Sequence, residues 1–481
     1  MKITQERRTV MTVMTTITTG KVSGRTMDGV TAFTGIPFAK SPFGPLRFGA
    51  PAPVEPWEGT FDATRFGPIP PQGPSLPGMS QWRPADGLDC LTVNVWSPDP
   101  GGGGLPVMVW IYGGAYVTGG SSSPDYDGAR LAGEGVVVVS FNYRVGFEGY
   151  AQVEGAPANR ALLDQLAALR WVRDNIAAFG GDPGNVTIFG ESAGAGSVAC
   201  LMAMPSASGL FHRAIAQSVP SVTYTPALAA RVSAAIMRGV GGSPYDSDPE
   251  QLVAASSTFV HRELVGDVAT WGPLGISAVP FAPVVDGEVL PDTPWNALAD
   301  GASGDVELIV GFNRDEFKLF QALADGRPGD VRPALETAAP SGADLVYRGE
   351  DAYAALMSDW LFRMPSALLA DAHTGTTFCY ELTWEPTALG ACHGLDVHLT
   401  FGNLGTPLAV MLTGGSPEAE GLSAQFRTAW TRFATTGDPG WPQYEPKAAI
   451  THLFDVESAD APDPEAASRA LWSTSGFPVT D

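Results

Sequence analysis

The residues best suited to chemistry lie in the pentapeptide Gly-Glu-Ser-Ala-Gly at positions 190–194. The β-branched and aromatic run at 185–189 predicts a buried strand, and the small-residue run at 195–202, which ends in Leu-Met, predicts a helix. A serine in such a turn sits on a strained backbone, and the two glycines let the chain bend sharply. A plain Gly/Ser-rich turn would carry the same short motif, but the flanking elements favour Ser192 as a nucleophile.

A serine hydroxyl needs a base within hydrogen-bond reach. His393 is the candidate among six histidines, because a glycine follows it and a β-prone run precedes it, as at a loop tip. His398, five residues later, is expected to line the next element. A carboxylate must also fix the imidazole tautomer. Asp315 and Glu316 both follow the predicted strand at 306–311, and spacing does not choose between them.

A carbonyl attacked by a serine develops an oxyanion, which needs N–H donors that are already in place. The segment Gly-Gly-Ala at 113–115 follows a predicted strand and can offer consecutive backbone N–H groups, and Ala193 can offer another. A plain strand-to-loop bend is the alternative. Because this segment occurs together with Ser192 in one chain, we favour an oxyanion hole. The order serine, acid, histidine along the chain is that of α/β-hydrolases.

Strands and helices alternate along much of the chain, which predicts an α/β fold with a mostly parallel sheet flanked by helices. Ligand sites in such sheets lie beyond the carboxyl ends of the strands, where the 113–115 segment and Ser192 fall. We predict a single catalytic domain over residues 1–481. Helical insertions at about 222–280 and 324–372 are expected to form a cap over the site.

Composition narrows the class of protein. Hydrophobic residues make up 44% and charged residues 16%, so the chain can bury a large core. A net charge of −23 argues against nucleic acid or an anionic membrane surface as a partner. No apolar run is long enough for a transmembrane helix, and threonines interrupt any signal-peptide core in residues 1–20. Four distant cysteines without a C-x-x-C motif indicate neither a metal site nor a disulfide scaffold. We therefore predict a cytoplasmic protein with free thiols, either a monomer or a small homo-oligomer.

The 190–194 turn, the 113–115 segment and the candidate acid and base occur together with six further segments, given at the end of this paragraph. In this combination they closely resemble the type-B carboxylesterase and cholinesterase family of α/β-hydrolases. Cys90 has no upstream cysteine to pair with, which favours the smaller bacterial, para-nitrobenzyl-esterase-like members over secreted animal enzymes. The matching segments are Phe-Thr-Gly-Ile-Pro-Phe-Ala at 33–39, Asp-Cys-Leu-Thr-Val-Asn-Val-Trp at 89–96, Asn-Tyr-Arg-Val-Gly at 142–146, Asp-Gln at 164–165 with Ala-Leu at 168–169, Phe-Gly-Gly-Asp-Pro at 179–183 and Gly-Asp-Pro at 437–439.

The resemblance implies a serine carboxylesterase that hydrolyses small esters through an acyl-enzyme on Ser192, with no metal or organic cofactor. The family's Gly-x-Asn-x-Asp-Glu segment assigns the acid to Glu316. Its His-Gly-x-Asp/Glu segment assigns the base to His393, with Asp396 at the acidic position that follows. By the same resemblance the oxyanion donors are Gly114, Ala115 and Ala193.

The chain departs from the family pattern around the expected substrate pocket. Leu88 stands where the family has a glutamate, which would remove an ion pair with Arg47. Trp82 resembles the choline-binding tryptophan of cholinesterases, although a packed surface tryptophan is the alternative. The acyl-pocket aromatics of the family fall near Ser277 and Val279, where small side chains would leave room for larger acyl groups.

Three alternatives stay open at this point. A carbamate or aryl-amide hydrolase would use the same triad, and no residue decides between these leaving groups. A non-catalytic, cholinesterase-like binding protein typically lacks a triad residue, whereas all three are present here. An interfacial lipase would need a large exposed apolar lid, and the acidic sequence shows no obvious one.

Overall fold

The computed structural model describes residues 11–74, 81–324 and 331–481, and its strands form one sheet. The strands are β1 (Met11–Ile17), β2 (Gly20–Met27), β3 (Val30–Pro37), β4 (Thr60–Asp62), β5 (Thr92–Ser97), β6 (Leu105–Ile111), β7 (Val137–Phe141), β8 (Gly181–Glu191), β9 (Arg213–Gln217), β10 (Glu307–Asn313), β11 (Thr377–Leu382), β12 (Ile450–Phe454) and β13 (Ala459–Pro462).

The order across the sheet is β1-β2-β3-β5-β7-β6-β8-β9-β10-β11-β12-β13, and β4 pairs with β2. Every neighbouring pair from β7 to β12 is parallel, whereas the pairs from β1 to β7 and the pair β12-β13 are antiparallel. The central strands are continuous apolar runs, and all five residues of β7 are buried, as expected for strands covered on both faces. The predicted mostly parallel sheet is confirmed.

Helices connect the strands and flank the sheet. They are α1 (Ala129–Ala132), α2 (Gly146–Tyr150), α3 (Arg160–Asn175), α4 (Ala193–Ala203), α5 (Pro226–Val240), α6 (Pro249–Phe259), α7 (Val268–Trp271), α8 (Leu274–Ser277), α9 (Pro294–Ala299), α10 (Lys318–Leu323), α11 (Val331–Thr337), α12 (Ala343–Val346), α13 (Ala352–Ser358), α14 (Met364–Ala372), α15 (Leu395–Phe401), α16 (Pro407–Thr413), α17 (Glu418–Thr436) and α18 (Ala466–Trp472). In the part of the chain covered by these elements, no helix has both the length and the apolar character needed to cross a bilayer.

The topology brings the candidate residues to one edge of the sheet. β6, β8, β10 and β11 run parallel within the block β6-β8-β9-β10-β11, so their carboxyl ends lie side by side. The segments that follow β6, β8, β10 and β11 carry, respectively, the 113–115 stretch, Ser192, Glu316 and His393. Residues more than two hundred positions apart therefore meet at one place.

The two predicted insertions are helical. Helices α5 to α8 lie within 222–280, and α11 to α14 lie within 324–372, of which positions 325–330 are outside the described residues. Side chains from both insertions line the cavity described below, among them Val279 and Phe362. That they form a cap on a single domain of 1–481 stays a prediction, and positions 1–10 and 75–80 are likewise not described.

Arg47 has a different partner from the one that the family pattern suggests. Its guanidinium contacts Glu148 on α2, with Nη2 at 2.5 Å and Nε at 3.1 Å from Oε1, and both side chains are almost fully buried. Glu148 on α2 thus supplies the carboxylate for Arg47 in place of the glutamate that the family pattern has at position 88. The cysteines Cys90, Cys200, Cys379 and Cys392 are buried free thiols.

Candidate active site

Ser192 occupies the sharp turn between β8 and α4, with φ 57° and ψ −125°. A non-glycine residue in this region is strained and persists only where its surroundings hold it. The Ser192 N–H donates to the carbonyl of Gln217 at 2.9 Å, and its own carbonyl accepts from the N–H of Gly196 at 2.9 Å. These two bonds fix the turn between the sheet and the helix.

Gly194 lets α4 approach the end of β6. A Cβ at this position would lie 2.0 Å from the carbonyl oxygen of Ile111, which is far closer than atoms can pack. We expect Gly194→Ala to lower the free energy of unfolding by about 3 kcal/mol, measured by urea denaturation, because backbone must move to admit the methyl group.

The matched control for this substitution is Gly421→Ala on the exposed side of α17. A Cβ there meets nothing within 4 Å, so we expect unchanged or slightly higher stability, since alanine is the better helix former. Equal stabilities of the two variants would contradict the close approach at Gly194.

The 113–115 stretch turns immediately after β6. Gly114 has φ 118°, and Ala115 and Tyr116 follow with φ 53° and 62°. The Gly114 carbonyl accepts hydrogen bonds from the N–H groups of Val117 and Thr118, both at 3.0 Å, which closes the turn. The N–H groups of Gly114 and Ala115 donate to no acceptor within the described ranges. Ala193, the first residue of α4, has an N–H that the helix itself cannot satisfy.

His393 and Glu316 are joined by a short hydrogen bond. His393 Nδ1 lies 2.5 Å from Glu316 Oε2, and Glu316 is fully buried. The other carboxylate oxygen, Oε1, accepts from Ser218 Oγ at 2.5 Å and from the Asn313 N–H at 2.8 Å. With Oε1 engaged, Oε2 is left for the imidazole, which favours the tautomer protonated at Nδ1.

The neighbouring carboxylate has a different environment. Asp315 Oδ2 accepts from the Ala391 N–H at 3.0 Å, and Oδ1 lies 2.8 Å from Lys318 Nζ. Asp315 thus anchors the loop that precedes His393, whereas Glu316 reaches the imidazole itself. Spacing from Ser192 does not choose between Asp315 and Glu316, but their contacts do: only Glu316 hydrogen-bonds to His393.

Two aromatic rings that no sequence motif marks pack on the His393 imidazole. The Phe362 ring centroid lies 4.2 Å away and the Phe320 centroid 5.1 Å away. Phe362 belongs to a π-helical segment, Asp359–Arg363, between α13 and α14. Aromatic residues in a helical stretch are ordinarily read as core, so no local signal marks these two.

A second carboxylate that the sequence analysis missed faces the imidazole. Glu191 Oε1 lies 3.1 Å from His393 Nε2. Burial raises the pKa of Glu191 to about 8. Burial alone would lower the pKa of His393, but the carboxylates of Glu191 and Glu316 favour the imidazolium and raise it to about 9. His393 is thus an imidazole between two buried acids.

Removing the Glu191 charge is expected to change the pH dependence of activity. A base must be neutral to accept a proton, so kcat/KM rises as pH rises through the pKa of His393. Glu191→Gln removes a charge that favours the imidazolium, which lowers this pKa. We expect the acid limb of the kcat/KM profile to move to lower pH by about one unit. Glu288→Gln, at an exposed position, is the control. An unchanged limb in Glu191→Gln would contradict the assigned coupling.

Asp396, at the acidic position after His393, contacts neither Ser192 nor the imidazole by hydrogen bond. Its carboxylate accepts from Tyr380 Oη at 2.7 Å, Gln217 Nε2 at 2.9 Å and Asn313 Nδ2 at 3.2 Å. Burial raises its pKa, and these hydrogen bonds oppose that shift. Asp396 therefore ties β9, β10 and β11 to α15 beneath the site.

Ser192 and His393 line one cavity of about 600 Å³. Its wall is mostly apolar and also includes the 113–115 stretch, Ala193, Ser277 and Val279. Trp82 is half-buried and does not line it, so the structure does not bring this candidate to the site. Among the described residues, no group of three or more His, Cys, Asp or Glu side chains is arranged to hold a metal ion.

Comparison with known proteins establishes the family. The model of the Carboxylesterase family matches residues 11–339 and 339–457. The chain belongs to the carboxylesterase family. It is 39% identical over 473 residues to the para-nitrobenzyl esterase of Bacillus subtilis strain 168, covering 94% of this chain and 96% of that one. It is 33% identical to the acetylcholinesterase of Bungarus fasciatus, covering 95% and 85%.

Comparison with solved structures leads to the same family. A PNB esterase structure superposes with a TM-score of 0.87 at 36% identity, covering 95% of this chain and 99% of that one. The predicted α/β-hydrolase fold and the resemblance to type-B carboxylesterases are confirmed. This carboxylesterase is a carboxylic ester hydrolase, as the sequence predicted.

Proposed function

We propose that this carboxylesterase hydrolyses esters through a covalent acyl-enzyme on Ser192. His393 takes the proton from Ser192 Oγ as the oxygen attacks the ester carbonyl, and Glu316 stabilises the imidazolium that forms. The carbonyl oxygen becomes an oxyanion held by the N–H groups of Gly114, Ala115 and Ala193. Loss of one such donor costs about 3 kcal/mol of transition-state stabilisation in other enzymes.

The second half of the reaction reverses these roles. The tetrahedral intermediate collapses, the bond to the alcohol breaks, and His393 gives its proton to the departing oxygen. Water then enters, His393 takes its proton, and the hydroxide attacks the acyl carbonyl. Collapse of this second intermediate releases the acid and returns the proton to Ser192.

One observation carries the proposal. The 2.5 Å hydrogen bond from His393 to a fully buried Glu316 lies at the cavity that Ser192 lines. At the same strand ends, two N–H groups that follow β6 donate to no acceptor among the described residues. A histidine whose tautomer is fixed by a buried carboxylate is suited to act as a base. The strained backbone at Ser192 is typical of a nucleophile.

The mostly apolar wall of the cavity suits the binding of esters with apolar acyl and alcohol groups. Ser277 and Val279 are small side chains in its wall, and we propose that they admit acyl groups larger than acetyl. Four buried free cysteines suit a reducing compartment, and we propose a bacterial, cytoplasmic enzyme that is a monomer or a small homo-oligomer.

The test is a panel of p-nitrophenyl acetate, butyrate and benzoate, with a matching p-nitroanilide and a carbamate. We expect turnover of the esters, with butyrate or benzoate at least equal to acetate, and slower release from the anilide and the carbamate. Preference for the anilide or the carbamate would favour the alternative leaving groups. A strong preference for acetate would contradict the role of Ser277 and Val279. No ester turnover by the folded protein would contradict the proposal.

A further inference from the structure

A second carboxylate–imidazole pair lies in the wall of the same cavity. His398 Nδ1 is 3.5 Å from Asp125 Oδ1, and each side chain is only 3% exposed. His398 lies on α15, five residues after His393, and Asp125 lies in the short 3₁₀ turn Pro124–Tyr126. Both residues line the cavity, yet the mechanism above uses neither.

Asp125 is held in place from several sides. Its Oδ2 accepts from Ser123 Oγ at 3.0 Å, and its Oδ1 accepts from Thr406 Oγ1. Asn403 Nδ2 donates to the Asp125 backbone carbonyl at 3.1 Å. The carboxylate therefore has a fixed position and can orient the imidazole beside it.

The imidazole of His398 has unused hydrogen-bonding capacity. Its Nδ1 is buried and has no hydrogen-bond partner within the described ranges, and Asp125 is the carboxylate nearest to it. Burial lowers the pKa of His398 and so favours the neutral ring, although the charge of Asp125 opposes the shift. The 3.5 Å separation from Asp125 is not a hydrogen bond, but the nearby carboxylate charge favours the tautomer with its proton on Nδ1, which leaves Nε2 as the acceptor. Such a group in a mostly apolar wall is costly unless a bound molecule satisfies it.

We propose that His398, oriented by Asp125, is a specificity residue whose Nε2 accepts a hydrogen bond from a hydroxyl group of the ester substrate. This rests on the proposed function, because the cavity must bind the ester for His398 to select it. The hydroxyl lies on the alcohol or the acyl part, away from the ester bond that Ser192 attacks. The site thus discriminates between hydroxylated esters and their plain analogues.

The experiment compares matched pairs of esters that differ by one hydroxyl. Monobutyrates of straight-chain diols with two to six carbons are paired with the corresponding alkyl butyrates, and ethyl ω-hydroxyalkanoates with ethyl alkanoates. The measured quantity is the ratio of kcat/KM for the hydroxylated ester to that for the plain one. The variants are His398→Leu, His398→Gln, whose amide can still accept a hydrogen bond, and Val397→Ala, which alters the same wall without a polar group.

For at least one pair, we expect His398→Leu to lower the ratio about tenfold, as loss of one buried hydrogen bond does. His398→Gln should retain most of the ratio, and Val397→Ala should change both members of a pair alike. If His398→Leu fails to fold, Asp125→Asn takes its place, and the ratio should fall because the imidazole loses its orienting charge. Ratios that are unchanged in every pair overturn the role of His398 while leaving the esterase intact. A parent protein that hydrolyses no plain ester contradicts the proposed function itself.

Discussion

Replacing Ser192 with alanine is expected to lower kcat for p-nitrophenyl butyrate by about 10⁶-fold, the loss seen when other serine hydrolases lose their nucleophile. The variant keeps the cavity and the N–H donors, so a residual rate of about 10³-fold over water can remain. Initial rates with extensively purified protein measure the loss. Ser206→Ala, at an exposed position just beyond α4, is the matched control and should keep full activity.

Circular dichroism and the unfolding midpoint must show that Ser192→Ala is folded. Ser192→Ala removes only Oγ and leaves the backbone strain at φ 57° unchanged, so the fold is expected to survive. A folded variant that retains more than a few per cent of the parent kcat would contradict the covalent mechanism.

Replacing Glu316 with glutamine is expected to lower kcat about 10⁴-fold. The amide is nearly isosteric, but its NH₂ group can face Nδ1 and favour the tautomer in which Nε2 is protonated and cannot act as a base. The variant also lacks the charge that raises the pKa of His393, so its imidazolium is less stable. Steady-state rates from pH 5 to 9 measure both effects.

Asp315→Asn is the matched control, because Asp315 is adjacent in sequence but contacts Lys318 and the Ala391 N–H. We expect a loss of less than about tenfold, as for other partly exposed ion pairs of small net strength. Similar losses in the two variants would contradict the assignment of the acid to Glu316.

The serine turn and the 113–115 stretch could be predicted because each is encoded by a few consecutive residues. The β-branched run at 185–189, the two glycines around Ser192 and the small-residue run after it are contiguous, and each favours one conformation. The same holds for the 113–115 stretch after β6. Strand-helix alternation then places both at the carboxyl edge of a parallel sheet.

The remainder could not be predicted because it depends on contacts between distant elements. Spacing left Asp315 and Glu316 equivalent, since adjacent residues point in different directions and only the folded loop decides which one meets His393. Glu191 lies inside the recognised motif, yet nothing in the motif reveals its contact with Nε2. The pairing of His398 with Asp125 joins α15 to the 3₁₀ turn between β6 and β7, more than 270 residues earlier in the chain.

Ser192 carries the acyl group in the proposed mechanism, and covalent labelling identifies the residue that reacts. The protein is incubated with diethyl p-nitrophenyl phosphate, the released p-nitrophenol is counted, and the modified peptide is located by mass spectrometry. We expect one diethylphosphoryl group for each active chain, located on Ser192, with a proportional loss of esterase activity and no labelling of Ser192→Ala. Loss of activity with the label on another residue, or full activity in a protein labelled at Ser192, would contradict it.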